Sequence, residues 1–190
     1  MAPRPTIATD AAFATGMSSP RTAARLPIYA GLTLACLLWT WYAGRDVNWD
    51  LFNYHVYAGH LAMHPQRLWQ DYFAASIQSY LNPYAYVPFY LLVEAPWPGI
   101  TVGLAMACLH SVNLWFVYEI ARVIVPTDRE NSCMPVFGAV LLAALSPLFL
   151  QQVGTSYADV LTATPVLAGF LLLARNYASG TGAWPWVLLA

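Results

Sequence analysis

Tyr84–Val93 reads YAYVPFYLLV, an apolar and aromatic segment closed by Glu94 and the pair Pro96 and Pro98, and its placement decides the arrangement of the chain. As a membrane span it has about half of the ~20 residues a bilayer requires, whereas its aromatic content suits a helix lying in the interface. The arginines choose between the two, because arginines in short loops concentrate on the cytoplasmic side. Without a span here, Arg4, Arg21, Arg25, Arg122, Arg129 and Arg175 face one compartment and Arg45 and Arg67 the other, six against two. With a span the count becomes three against five. The segment is therefore expected to be a juxtamembrane helix, with the N-terminus of the chain cytoplasmic.

Apolar runs lie on both sides of it. Residues 27–43 form the first, with Trp39, Trp41 and Tyr42 as an aromatic belt at its far end. The run is longer and more aromatic than a signal-peptide core, and no A-x-A site follows, so it is read as a retained helix. Further runs cover Gly99–Val125, Pro135–Leu150 and Ser156–Ala174, and Ala183–Ala190 opens another. Residues 1–26, rich in Ala, Thr, Ser and Pro, read as a disordered cytoplasmic tail. Residues 44–98 become one extracytoplasmic loop, and 99–190 hold transmembrane helices 2–4 and the start of a fifth. The expected fold is all-α, a polytopic transmembrane helix bundle whose large first loop carries amphipathic juxtamembrane helices.

Composition agrees, with 59% hydrophobic residues, 9% charged residues and a mean hydropathy of +0.51. Soluble domains carry roughly a quarter charged residues. The net charge of -1 comes from arginines and carboxylates with no lysine, so no basic patch points to nucleic acid. Cys36, Cys108 and Cys133 are far apart, which indicates neither a disulfide framework nor a CxxC site.

The chemistry-bearing residues gather in the loop, from Arg45 to Tyr90, where Asp46, Asp50, Asp71, His55, His60 and His64 sit among aromatics. After Asp50, the residues Phe52, Val56, Gly59 and Met63 recur at helical spacing beside a polar stripe of Asn53, Tyr57, His60 and His64. An amphipathic surface helix with Asp50 as its N-cap follows. Asp50 is equally a candidate base at the membrane face, since a carboxylate there could take a proton from an acceptor hydroxyl. On a helical wheel His55 is about 140° from Asp50, so the two would not share a face.

His60 and His64, four apart, have the spacing of metal ligands with Asp159 as a further donor, although no HExxH pattern is present and solvated interfacial histidines are the simpler reading. Arg67 and Asp71 read as a surface pair. Gln78 and Asn82 lie in a polar turn that could bond sugar hydroxyls or simply start the next helix. Asp159, in the first turn of a membrane helix, is a functional candidate because a carboxylate there must face protein or a water-filled cavity. Glu119 and Arg122, at i and i+3, read as a structural pair, and His110, Ser111 and Asn113 as interhelical hydrogen-bonding groups.

The combination resembles the GT-C class of integral membrane glycosyltransferases, and among them the bacterial glycosyltransferase 87 and related mannosyl- or arabinosyltransferase-like families. The residues that carry the resemblance are Asp50 and Tyr54 in WDLFNYHVYAGHLA, Asp71 in QDYF, the segment NPYAYVPFYLL, and Ser156–Asp159 as SYAD. It implies a GT-C-like bundle in the bacterial inner membrane that moves a sugar from a polyprenyl-phosphate carrier to an acceptor hydroxyl on the extracytoplasmic face. Partners are then the lipid-linked sugar donor and membrane lipid, and a divalent metal ion is the one cofactor to test for. Asp50 becomes the catalytic base, with Asp46 as the alternative. Trp49, Tyr54, His55, Asp71, Gln78, Asn82 and Asp159 become the substrate-binding set, Trp49 and Tyr54 by stacking on sugar. Members of the class carry more helices, so an N-terminal fragment of a longer enzyme is expected. The competing expectation is a non-catalytic polytopic protein, a transporter or flippase-like subunit.

Overall fold

The computed structural model describes residues 25–67, 70, 77–78, 82–125 and 133–179, and they are helical without a strand among them. Helix α1 covers Leu26–Ala43, with Pro27 in its first turn, and ends at Gly44, whose N–H closes onto the Thr40 carbonyl. A π-helical turn, Leu51–His55, runs into α2, Val56–Met63. A 3₁₀ turn at Pro83–Tyr86 leads into α3, Val87–Glu94. The long α4 is Gly99–Ile124, α5 is Cys133–Ala144, α6 is Pro147–Gln152 and α7 is Ala158–Ser179.

Three of these, α1, α4 and α7, are long and apolar enough to cross a membrane. The third expected span is not one helix. It divides between Ala144 and Pro147, where Ser146 turns extended and its Oγ accepts the Phe149 N–H at 3.1 Å. Residues before a proline avoid the α region, and a serine there supplies the N-cap of the next helix. At twelve residues, α5 alone rises only about 18 Å.

Helix α4 is the axis of the bundle, packing along α1, α5 and α7. Its buried face includes Met106, Ala107, His110, Leu114, Tyr118 and Ala121, a helical repeat that the exposed faces of α1 and α7 lack. The mid-span polar residues tie it to its neighbours, as expected of polar groups inside a membrane. Ser111 Oγ meets Thr33 Oγ1 on α1 at 3.0 Å, Asn113 donates to the Val160 carbonyl on α7, and His110 Nδ1 accepts the Gly154 N–H at 3.2 Å.

Helices α1 and α4 are antiparallel. Arg25 at the start of α1 reaches Glu119 near the end of α4, while Arg45 beyond α1 lies against Gly99 at the start of α4. The intervening chain thus leaves and rejoins the bundle at one end, where α2 and α3 pack on each other and α3 rests on α4. Contact between α2 and α3 is close at Gly59, where a Cβ would collide with Tyr90 and stand 3.1 Å from the Tyr86 carbonyl. The expected apolar stripe of α2 is buried only in its middle, where Gly59 is buried and Val56 packs on the core, and not at its ends. Phe52 is 74% exposed and Met63 also points outward, whereas Leu51, Tyr54, His55, Ala58 and Leu61 are buried. The π turn rotates the helix face between the two halves, so a single 3.6-residue wheel misassigns it.

Candidate functional site

The site lies at the end of the bundle where α1 finishes and α7 begins, and Asp46 organises it. Its Oδ2 accepts the Ser156 N–H at 2.8 Å and the Ser156 Oγ–H at 2.7 Å, and its Oδ1 accepts the Asn48 N–H at 3.1 Å and the Asn48 side-chain amide. The two Ser156 bonds join segments 110 positions apart. Asn48 also caps the following helix, since its Oδ1 accepts the Leu51 N–H at 2.7 Å. The N-cap role expected of Asp50 therefore belongs to Asn48. Asp50 itself has helical dihedrals and makes no capping bond.

Free of that duty, Asp50 accepts a hydrogen bond from Tyr157 Oη at 2.8 Å. Tyr157 also packs edge-on against His55, ring centroids 5.1 Å apart. The wheel separation of Asp50 and His55 fails here because Leu51–His55 is a π turn, whose i to i+5 bonding brings residues five apart over one another. Tyr157 bridges the pair.

His55 is 0% exposed, stacked on Tyr86 at 4.7 Å and flanked by Tyr54. Its Nδ1 lies 2.7 Å from Ser156 Oγ. Because the Ser156 proton already goes to Asp46, the His55 contact requires an Nδ1–H donating to Oγ, which leaves Nε2 as a buried atom without a partner. Burial lowers the His55 pKa, while Asp50, Asp46 and Asp159 push it the other way. The order Asp46–Ser156–His55 is not that of a nucleophilic triad, in which histidine sits between the other two and takes the serine proton. Ser156, 1% exposed, is a connector.

The phenols around the carboxylates are held protonated. Tyr157 is pushed up to about 12, first by its bond to Asp50 and then by burial. Tyr54 rises through burial and the neighbouring Asp50, and Tyr86 rises through burial, Tyr54 and Asp159. Asp159 is exposed at the head of α7, and its Oδ2 accepts the Gln152 side-chain amide at 2.9 Å. Its charge acts on Tyr54, His55 and Tyr86, so it belongs to the same electrostatic neighbourhood.

Beside this network runs an apolar groove of about 370 Å³ between α2, α3 and α4, lined by Leu51, Val56, Phe89, Trp97 and Val102, with Asp46 as its charged lining residue. Gly99 lines its rim, and a Cβ on Gly99 would stand 3.8 Å from Arg45 Cβ, so Arg45 is beside the mouth. Sequence reading did not select Arg45, Asn48, Ser156 or Tyr157 as site residues, although Ser156 and Tyr157 lie within the SYAD element.

The remaining expected residues are placed as follows. Trp49 is 62% exposed next to Asp50 and free to stack on a ligand. Tyr54 is buried against His55 and Tyr86, so its ring faces are not open to a sugar. Asn82 caps the 3₁₀ turn by accepting the Tyr84 N–H at 3.1 Å, and no hydrogen bond between Gln78 and another described residue joins it to the site. Asp71 lies outside the described residues. His60 and His64 stack at 4.4 Å, with Nδ1 of His60 on Tyr90 Oη and Nδ1 of His64 on the His60 carbonyl. Among the described residues no three His, Cys, Asp or Glu side chains converge as a metal-binding group, so His60, His64 and Asp159 do not come together as one. No family model, curated protein or solved structure matches this chain.

Proposed function

We propose that the chain belongs to a membrane glycosyltransferase using a polyprenyl-phosphate sugar donor, with mannose- or arabinose-like sugars implied by the GT-C resemblance. One observation carries the reading: the apolar groove has the Asp46 carboxylate in its lining, the Arg45 side-chain stem beside its Gly99 wall, and Asp50 next to its lining residue Leu51. In this reading the prenyl chain enters the groove, Arg45 meets the phosphate, and Trp49 stacks on the sugar. Asp46 is saturated with donors and holds the loop. Asp50, held by Tyr157 through Oδ2, takes the proton from the acceptor hydroxyl as the sugar–phosphate bond breaks. Tyr157, neutral across the working pH range, fixes the Asp50 carboxylate without competing for that proton.

The orientation that follows puts this end outside the cytoplasm, in keeping with the arginine count. The experiment is transfer from a labelled polyprenyl-phosphate sugar by the protein in vesicles. Transfer that requires Asp50 supports the reading; transfer indifferent to Asp46, Asp50, Asp71 and Asp159 alike sinks it. The saturation of Asp46 gives the non-catalytic alternative its one support, since a carboxylate bonded on both oxygens is what a structural latch requires.

A further inference from the structure

Where α5 stops at Ala144 and α6 starts at Pro147, a pocket of about 250 Å³ opens between α4, α6 and α7. Much of its wall is apolar, but Asn113 from α4, Gln152 from α6 and Asp159 from α7 also line it. The orientation of both amides is fixed by what they donate to. Asn113 Nδ2 donates to the Val160 carbonyl and Gln152 Nε2 to Asp159 Oδ2 at 2.9 Å, and neither acceptor can receive an amide oxygen instead. The group left over on each side chain is therefore the oxygen. Asn113 Oδ1 and Gln152 Oε1 are both buried without a hydrogen-bond partner among the described residues, on side chains whose residues are each 5% exposed. Native folds seldom leave such acceptors unpaired, so the pocket calls for an occupant that brings positive charge or donors.

The rest of the site has the same sign. Asp159 adds a full negative charge, and among the described residues every ion pair involves Glu119, so Arg45 and Arg67, at the Asp159 end, make none with it. The chain has no lysine. Arg25, Arg122 and Arg175 gather on Glu119 at the opposite end of the bundle; Arg4 and Arg21 precede Arg25 in the chain and Arg129 follows α4, which tethers them to that end too. Helix α5 also ends at the pocket wall, through Ala143, and Pro147 has no N–H to continue it, so the negative end of its dipole lies here.

One carboxylate with two neutral amide oxygens matches a single positive charge. Oxygen donors without imidazole or thiolate are the set for a hard cation. The burial of both amide oxygens suits an ion smaller than a water molecule better than a bulkier organic ammonium. We infer that the pocket is a binding site for a sodium ion, held by Asp159, Asn113 Oδ1 and Gln152 Oε1 at the break between α5 and α6. The ion joins α4, α6 and α7, and the site does not rest on the transfer reaction proposed above.

Thermal denaturation of the protein in detergent, with sodium chloride exchanged for N-methylglucamine chloride at constant ionic strength, reads the site by mass action. Sodium should raise the midpoint by several degrees along a saturating curve, and the larger potassium ion should raise it less. Asp159→Asn and Asn113→Leu, each made alone, should abolish the sodium-dependent shift, while Glu94→Gln, a carboxylate on α3 outside the pocket, should keep it. No sodium dependence, an equal shift from either salt (an adventitious ion only), or a sodium shift that survives both substitutions would overturn the site. On the unmodified protein, equilibrium binding of radioactive sodium should saturate at one ion per chain and be displaced by unlabelled sodium but not by equimolar magnesium. Absence of saturable binding, the result expected if water or another segment of the chain supplies the donors, overturns the proposal even if both variants fail to fold.

Discussion

Tyr157 and Asp50, 107 positions apart, meet through a 2.8 Å hydrogen bond that joins the start of α7 to the turn before α2. The contact ties the carboxylate best placed for proton abstraction to a phenol that stays protonated, its pKa raised chiefly by that carboxylate. Asp50→Asn should leave membrane insertion unchanged and cut sugar transfer by at least about 100-fold, the lower range for a general base. Tyr157→Phe should cost about tenfold, the effect of removing one positioning bond of roughly 1.4 kcal/mol. Asp159→Asn should do less than Asp50→Asn. Full turnover by Asp50→Asn, with loss in Asp46→Asn or Asp71→Asn, would move the base to that carboxylate.

Asp46 and Ser156 are expected to act as a unit in stability. Ser156→Ala removes the hydroxyl that links Asp46 to His55 and leaves a half-buried carboxylate short of one donor, a loss of about 1–3 kcal/mol. Asp46→Asn removes the acceptor of the same bond. The double variant should therefore fall short of the sum by more than about 0.5 kcal/mol in denaturation of the detergent-solubilised protein. Strict additivity would show that the bridge contributes nothing to holding the loop.

The long helices were legible in the sequence because a membrane span announces itself by length and composition alone: runs 27–43, 99–125 and 156–174 correspond to Leu26–Ala43, Gly99–Ile124 and Ala158–Ser179. Where local chemistry interrupts a run, hydropathy is silent, and Ser146–Pro147 divides the third one. The loop carboxylates and SYAD stood out individually, but their partners did not. A π turn leaves no periodic signature, so nothing in the order Asp50 to His55 foretells that they stand together. The Asn48 cap did leave a signal, an asparagine three residues before Leu51 at the head of the helix, which the neighbouring Asp50 obscured. Glu119 gathers Arg25 and Arg175 from other helices, and sequence spacing reports only the Arg122 neighbour.

The compartment facing each end can be assigned with a cysteine already present. Cys133 is exposed at the start of α5, and the other two cysteines, Cys36 and Cys108, can be replaced by alanine. In right-side-out vesicles a membrane-impermeant maleimide should leave Cys133 unlabelled until the membrane is permeabilised. Arg67→Cys in a cysteine-free background should label at once. The reverse pattern would place the carboxylate end in the cytoplasm and remove the extracytoplasmic transfer reaction.

The buried ring of His55 should make the loop acid-sensitive, and the sign follows from where its proton goes. Burial lowers the His55 pKa below the ordinary 6.5, with the three carboxylates only partly opposing that shift. Above about pH 6.5 the ring is neutral in both folded and unfolded chains, and its burial adds no pH dependence. Between 6.5 and the lower folded value the unfolded chain binds the extra proton, so stability falls as pH falls, by at most about 1.4 kcal/mol per pH unit. Thermal denaturation in detergent at pH 7.5 and 5.5 should therefore show a larger drop for the wild type than for His55→Asn, whose amide can still donate toward Ser156 but does not titrate. The comparison between the two proteins cancels the carboxylates and the other histidines, which are common to both. Equal drops would mean that His55 is not held neutral in the folded chain, and with that the Nδ1–H donation to Ser156 would lose its physical basis.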